Sequence, residues 1–112
     1  MRERGVLALG EIIERLAKTI DARKGAAAEA SYTASLLAGG PTKCAKKFGE
    51  EAIELVLAAA NESDARVASE AGDVIYHLLV VLAARGVDVS AVAAALAARE
   101  GQSGHAEKAA RT

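Results

Sequence analysis

The 112-residue sequence has one cysteine, one proline, no tryptophan, one phenylalanine and two tyrosines. With Cys44 as the only thiol, the chain can close no internal disulfide and build no multi-thiolate zinc site, a usage that fits a reducing cytoplasm. Aromatic residues make up 3% of the chain, so the side chains that usually populate strands are scarce and a sheet-based fold is nearly excluded. An excess of one charge is also lacking: 14 Lys plus Arg stand against 15 Asp plus Glu, net -1. Nothing in that balance advertises nucleic acid or an anionic membrane. No uninterrupted apolar run approaches the roughly 18 residues of a membrane span, and acids interrupt the opening MRERGVLALGEIIERL where a signal peptide would be apolar. A soluble cytoplasmic protein is expected, with no nucleic-acid and no membrane partner.

Alanine is what the chain has in abundance, 28 residues, and alanine is the strongest helix former. The length sets one domain, placed over 1–100. The hydrophobic spacing predicts an all-α, antiparallel helical bundle of about five helices, completed by homo-oligomerisation. Val6, Leu9, Ile12, Ile13, Leu16 and Ile20 recur at three- and four-residue steps, giving a first amphipathic helix that ends near Arg23-Lys24-Gly25. Ser31 is a candidate N-cap for a short helix over 32–38, closed by Gly39-Gly40-Pro41. Thr42 is a candidate N-cap for a long helix reaching about Ala60, and residues 61–64 make the turn. A helix over 65–85 stops at Gly86, and Ser90 can cap a last one over 91–99. The segment 101–112 lacks apolar periodicity and is expected to be disordered.

The two central helices carry the chemistry. The one over 65–85 is apolar nearly all round, with Val67, Val74, Ile75, Leu78, Leu79, Val80 and Leu82 covering every direction at about 100° per residue. Glu70, Asp73 and His77 nevertheless lie on one stripe of it. A buried unpaired carboxylate is costly, and two together are worse unless a cation holds them. The preceding helix carries Glu50, Glu51 and Glu54 after Lys43, Lys46 and Lys47, with Cys44, Phe48, Ala52, Leu55 and Ala59 as its core stripe. Glu51 lies about 60° and Glu54 about 120° from that stripe, on its flank. A short turn makes the two helices antiparallel neighbours, so Glu51 and Glu54 can face Glu70 and Asp73. Four converging carboxylates suit a hard cation, Mg²⁺ or alternatively Mn²⁺, which commonly meets phosphate in its remaining positions.

Plainer readings stand beside these. An E-E-x-x-E string is more often a solvated face than a metal site. His77 alone is more often a packed histidine than a ligand of a hard cation. The lysines can be solubilising rather than phosphate-binding, and Cys44 is a small core residue. Glu70 and Asp73 on an apolar helix are the feature that the plain readings do not absorb.

Three runs carry a resemblance: Ser31-Tyr32-Thr33-Ala34-Ser35-Leu36-Leu37, then Lys46-Lys47-Phe48-Gly49-Glu50-Glu51-Ala52-Ile53-Glu54, then Glu70-Ala71-Gly72-Asp73-Val74-Ile75-Tyr76-His77-Leu78-Leu79. Over about Leu9 to Arg99 the chain resembles the phosphoribosyl-ATP pyrophosphohydrolase family, within the all-α nucleoside triphosphate pyrophosphatases. The acid pattern is common to that whole superfamily; the SYT segment and the YH pair point to the histidine-pathway member. Gly72 stands where alanine is expected, and Cys44 and Phe48 where aliphatic residues are.

The resemblance implies Mg²⁺-dependent hydrolysis of 1-(5-phosphoribosyl)-ATP to 1-(5-phosphoribosyl)-AMP and pyrophosphate. It makes Glu51, Glu54, Glu70 and Asp73 the metal ligands and Glu50 a further acid for a second ion or a water. It puts Arg23, Lys24, Ser31, Tyr32, Thr33, Lys43, Lys47 and His77 at the substrate, in a homodimer or larger homo-oligomer. Two other functions stay open at this point: a house-cleaning nucleoside triphosphate pyrophosphatase, and a non-catalytic oligomerisation module whose acids pair with Lys43, Lys46 and Lys47.

Overall fold

The computed structural model describes residues 8–102. The expected helix start at Val6 and the expected disorder over 103–112 lie outside the described residues. Among these there are five α-helices and one 3₁₀ turn, and no strand.

Helix α1, Leu9–Asp21, turns Ile20 into the core. The chain then passes Gly25, at φ +78°, and the 3₁₀ turn Ala28–Ala30 before entering α2, Tyr32–Ala38. Ser31 caps α2 as its position predicts, its hydroxyl accepting the Ala34 N–H at 3.0 Å. The next connection is shorter than expected. Helix α3, Gly40–Asn61, starts directly after Gly39, and Thr42 lies inside it and caps nothing. Gly40 makes the corner at φ +86°, a left-handed value that glycine reaches without strain, and Pro41 sits in the first turn, where its missing N–H costs no hydrogen bond.

Only Glu62 and Ser63 separate α3 from α4, Asp64–Arg85, and the Ser63 hydroxyl accepts the Arg66 N–H at 3.2 Å. Gly86 ends α4 in the left-handed region at φ +71°, with the Val87 N–H returning to the Leu82 carbonyl at 2.9 Å. The last helix, α5, spans Val89–Ala97 rather than 91–99. Its cap is Asp88, not Ser90: the Asp88 carboxylate accepts the Ser90 N–H at 2.8 Å, and hydrogen bonding to Ser90, by its side chain first and its backbone N–H second, holds the Asp88 carboxyl below its usual range.

Helices α3 and α4 form a hairpin with the most extensive packing in the molecule; α1 lies on α4, and α2 touches both α3 and α4. Ile20, Cys44, Leu79, Val80 and Ala83 meet in one core cluster, flanked by Leu36, Leu37 and Ile75. Cys44 is a core residue, its thiol donating to the Leu36 carbonyl. On α3 the apolar stripe departs from the expected one at its end: Ala58 is buried and Ala59 is exposed. Ile53, Val56 and Leu57 are 60%, 66% and 55% exposed. Helix α4 is buried on one side only within this chain, with Leu78 38% exposed. By length and a mean hydropathy of 1.5, α4 could cross a membrane. It is instead the central helix of the bundle, packed against α1, α2 and α3 and burying Glu70 and His77 midway.

Candidate metal and substrate site

The α3–α4 hairpin sets the site, because antiparallel packing brings together residues about equally far from the turn at Glu62 and Ser63. Glu51 of α3 therefore meets Glu70 and Asp73 of α4, and one oxygen of each lies within 4.8 Å of the others. The three differ in setting: Glu51 is half-buried, Glu70 buried and Asp73 exposed. An all-carboxylate set fits a hard cation, whose bonds of about 2.1 Å would bring such oxygens to about 3–4 Å of one another. Glu54 lies outside this group, exposed on the rim, and Glu50 faces outward.

Two cations answer the acids, each from four residues earlier on the same helix. Lys47 Nζ lies 3.5 Å from Glu51 Oε2 and 3.8 Å from Glu50 Oε1. Arg66 donates through Nη2 to Glu70 Oε2 and through Nε to Glu62 Oε1, the latter at 3.0 Å. Sequence reasoning missed Arg66, although its spacing from both glutamates was the signal. Among the described residues, Lys43, Lys46 and Asp73 make no ion pair. Burial pushes the Glu70 carboxyl above the usual range; Arg66 opposes that, while Asp73, Glu54 and Glu51 reinforce it. The pKa of the Lys47 ammonium is raised by the Tyr32 phenol and then by Glu51.

An aromatic ledge borders the cluster. Tyr32 stacks on Tyr76 at 6.4 Å and 21°, and His77 meets Tyr76 edge-on at 4.9 Å and Tyr32 at 6.2 Å. Tyr76, also absent from the expected site, shares a 2.5 Å hydrogen bond with the Thr33 hydroxyl. His77 is buried, which pushes its pKa below the usual value; Glu51 and Asp73 pull it up and Lys47 pushes it further down. Of Ser31, Tyr32 and Thr33, two hydroxyls are thus engaged within the protein, and Tyr32, 55% exposed, is open to a ligand. Arg23 and Lys24 are not brought to the acids. Both follow α1, and Lys24, paired with Asp21 at 3.4 Å, lines a cavity of about 540 Å³ with Leu37, Arg85 and Gly86. Arg85 is 12 residues past Asp73, about 18 Å along α4 at 1.5 Å per residue.

The profile of the phosphoribosyl-ATP pyrophosphohydrolase family matches residues 13–100. This chain belongs to that family. A phosphoribosyl-ATP pyrophosphatase from Cereibacter sphaeroides is 61% identical over 100 residues, 89% of this chain and 97% of the relative. Enzymes of the same name from Ruegeria pomeroyi and Rhodobacter capsulatus are 59% and 57% identical, over 89% and 88% of this chain and 95% and 96% of their own lengths. The acid cluster and the aromatic ledge lie wholly within the matched residues.

Proposed function

We propose that this chain hydrolyses 1-(5-phosphoribosyl)-ATP to 1-(5-phosphoribosyl)-AMP and pyrophosphate, the second step of histidine biosynthesis, at the acid cluster between α3 and α4. The observation that carries this reading is the approach of Glu51, Glu70 and Asp73 beside the Tyr32, Tyr76 and His77 ledge, in a chain of this family. Glu51, Glu70 and Asp73 hold Mg²⁺, or Mn²⁺ in its place, with Glu54 joining from the rim and Glu50 serving a second ion or a water. A divalent cation bound there supplies charge neutralisation on the phosphate oxygens and a water of lowered pKa.

The remaining roles fall to side chains already in place. Lys47, tethered to Glu51 by a flexible arm and half-exposed, turns to meet phosphate, with Lys43 one turn before it. Tyr32 offers its face to the base or the added ribose, Thr33 holds Tyr76 beneath it, and Ser31 holds the turn that presents both. His77 closes the inner end of the ledge. Arg23 and Lys24 act from outside the cluster, on the distal part of the substrate.

Residues 1–100 form the single catalytic domain, and a chain ending at Gln102 keeps its activity. The exposed Ile53, with Val56 and Leu57 one turn after it on α3, supports a homodimer or larger homo-oligomer that covers them, in the cytoplasm. Pyrophosphate release from phosphoribosyl-ATP, ATP and dUTP tests the activity. A preference for phosphoribosyl-ATP is expected; equal rates on all three would assign the chain to general nucleotide clearance instead.

A further inference from the structure

The acid cluster already has a cationic partner within the chain. Glu70 is the most deeply placed of its three acids, with a side chain 7% exposed, and Arg66 is the partner of its carboxylate. Arg66 itself is 53% exposed and keeps a second anchor on Glu62 at 3.0 Å. The two partners therefore differ in freedom. Glu70 is buried against the α3–α4 hairpin, whereas Arg66 stands mostly in solvent and stays paired with Glu62 if it lets Glu70 go.

A divalent cation shared by Glu51, Glu70 and Asp73 would lie beside the guanidinium, and two cations on one buried carboxylate repel. We propose that Arg66 is a displaceable counter-ion, holding the charge of Glu70 while the site is metal-free and yielding it when a divalent cation binds. Arg66 thereby stabilises the empty site and competes with the metal. This rests on the reading of the cluster as the metal site. Arg66 is a positioning residue, acting through Glu70.

The test uses the full chain at pH 8, as wild type, Arg66→Gln and Arg66→Lys, each first shown to be helical by circular dichroism. Binding of Mn²⁺ is followed by the paramagnetic resonance of the free ion, and melting is recorded in chelator and in Mn²⁺. Arg66→Gln is expected to bind Mn²⁺ roughly fivefold or more tightly than wild type, the size of an ordinary coupling between sites. It should also melt lower in chelator and gain more from the metal, and Arg66→Lys, which keeps the charge, should fall between. Unchanged or weaker Mn²⁺ binding by Arg66→Gln, with wild-type binding intact, overturns the proposal and makes Arg66 a bystander or a fixed support of Glu70. Absence of Mn²⁺ binding in all three proteins overturns the metal reading itself, and the proposal with it.

Discussion

The hydroxyls of Thr33 and Tyr76 lie 2.5 Å apart, joining the entry of α2 to the acid-bearing helix across 43 residues of sequence. Through this bond the ledge under Tyr32 has a fixed height relative to Glu70 and Asp73. Tyr76→Phe removes the bond and keeps the ring. A cost of about 1 kcal/mol in stability is expected, the usual net worth of one hydrogen bond. The Michaelis constant for phosphoribosyl-ATP should rise while the Mg²⁺-induced gain in melting temperature stays the same. Loss of that gain in Tyr76→Phe would instead tie the bond to the acid cluster.

Ser31 and Tyr32 are adjacent and separable. Ser31→Ala removes the cap of α2 and should cost about 1 kcal/mol in a denaturant melt, with little change in substrate preference. Tyr32→Ala strips an exposed ring and should leave the melt nearly unchanged while raising the Michaelis constant for phosphoribosyl-ATP more than for ATP. Equal losses on both substrates would assign Tyr32 to packing.

Periodicity makes the hairpin legible in the sequence, because Glu70, Asp73 and His77 interrupt an otherwise apolar helix that follows a short turn. What it could not give was depth. The wheel puts Glu54 farther from the core stripe than Glu51 but still on its flank, whereas the structure leaves Glu54 exposed outside the cluster and buries Ala58 rather than Ala59. The cap at Ser31 is legible in the sequence, and those at Ser63 and Asp88 are not, because both helices start earlier than their apolar pattern. Caps are misread at Thr42 and Ser90, where a left-handed glycine or an earlier aspartate started the helix sooner. Of the α3 lysines that the sequence offers as counter-ions, Lys47 meets Glu51, while the partner of Glu70 is Arg66 on the acid's own helix.

His77 gives the metal-free protein a pH signature. Burial lowers its pKa in the folded state, whereas the unfolded chain takes up a proton at about 6.5. Its contribution to stability is therefore complete above about 6.5 and is lost as pH falls through the folded value. Glu70 acts with the opposite sign: its raised folded pKa favours the fold below the unfolded value of about 4.3, an advantage lost as pH rises through the folded one. The difference in melting temperature between wild type and His77→Gln, in chelator, isolates the first effect. It should be flat above pH 7 and shrink toward pH 5. A flat difference throughout would show that His77 titrates alike in both states.

Asp73→Asn separates metal binding from charge pairing most sharply. Asp73 is exposed, forms no ion pair among the described residues, and lies within 4.8 Å of acceptor oxygens on Glu51 and Glu70. Removing its charge should therefore relieve repulsion, leaving the melting temperature in chelator unchanged or higher. Had Asp73 neutralised a buried lysine, the same change would cost roughly 3–5 kcal/mol. In Mg²⁺ the order reverses. At ten times its dissociation constant, a ligand bound only by the folded state stabilises wild type by about 1.4 kcal/mol, and Asp73→Asn should forfeit most of that together with hydrolysis. Glu51→Gln and Glu70→Gln should forfeit it too, and Glu54→Gln, from the rim, should forfeit less. A variant at Asp73 that is destabilised in chelator yet hydrolyses phosphoribosyl-ATP at the wild-type rate would remove Asp73 from the site.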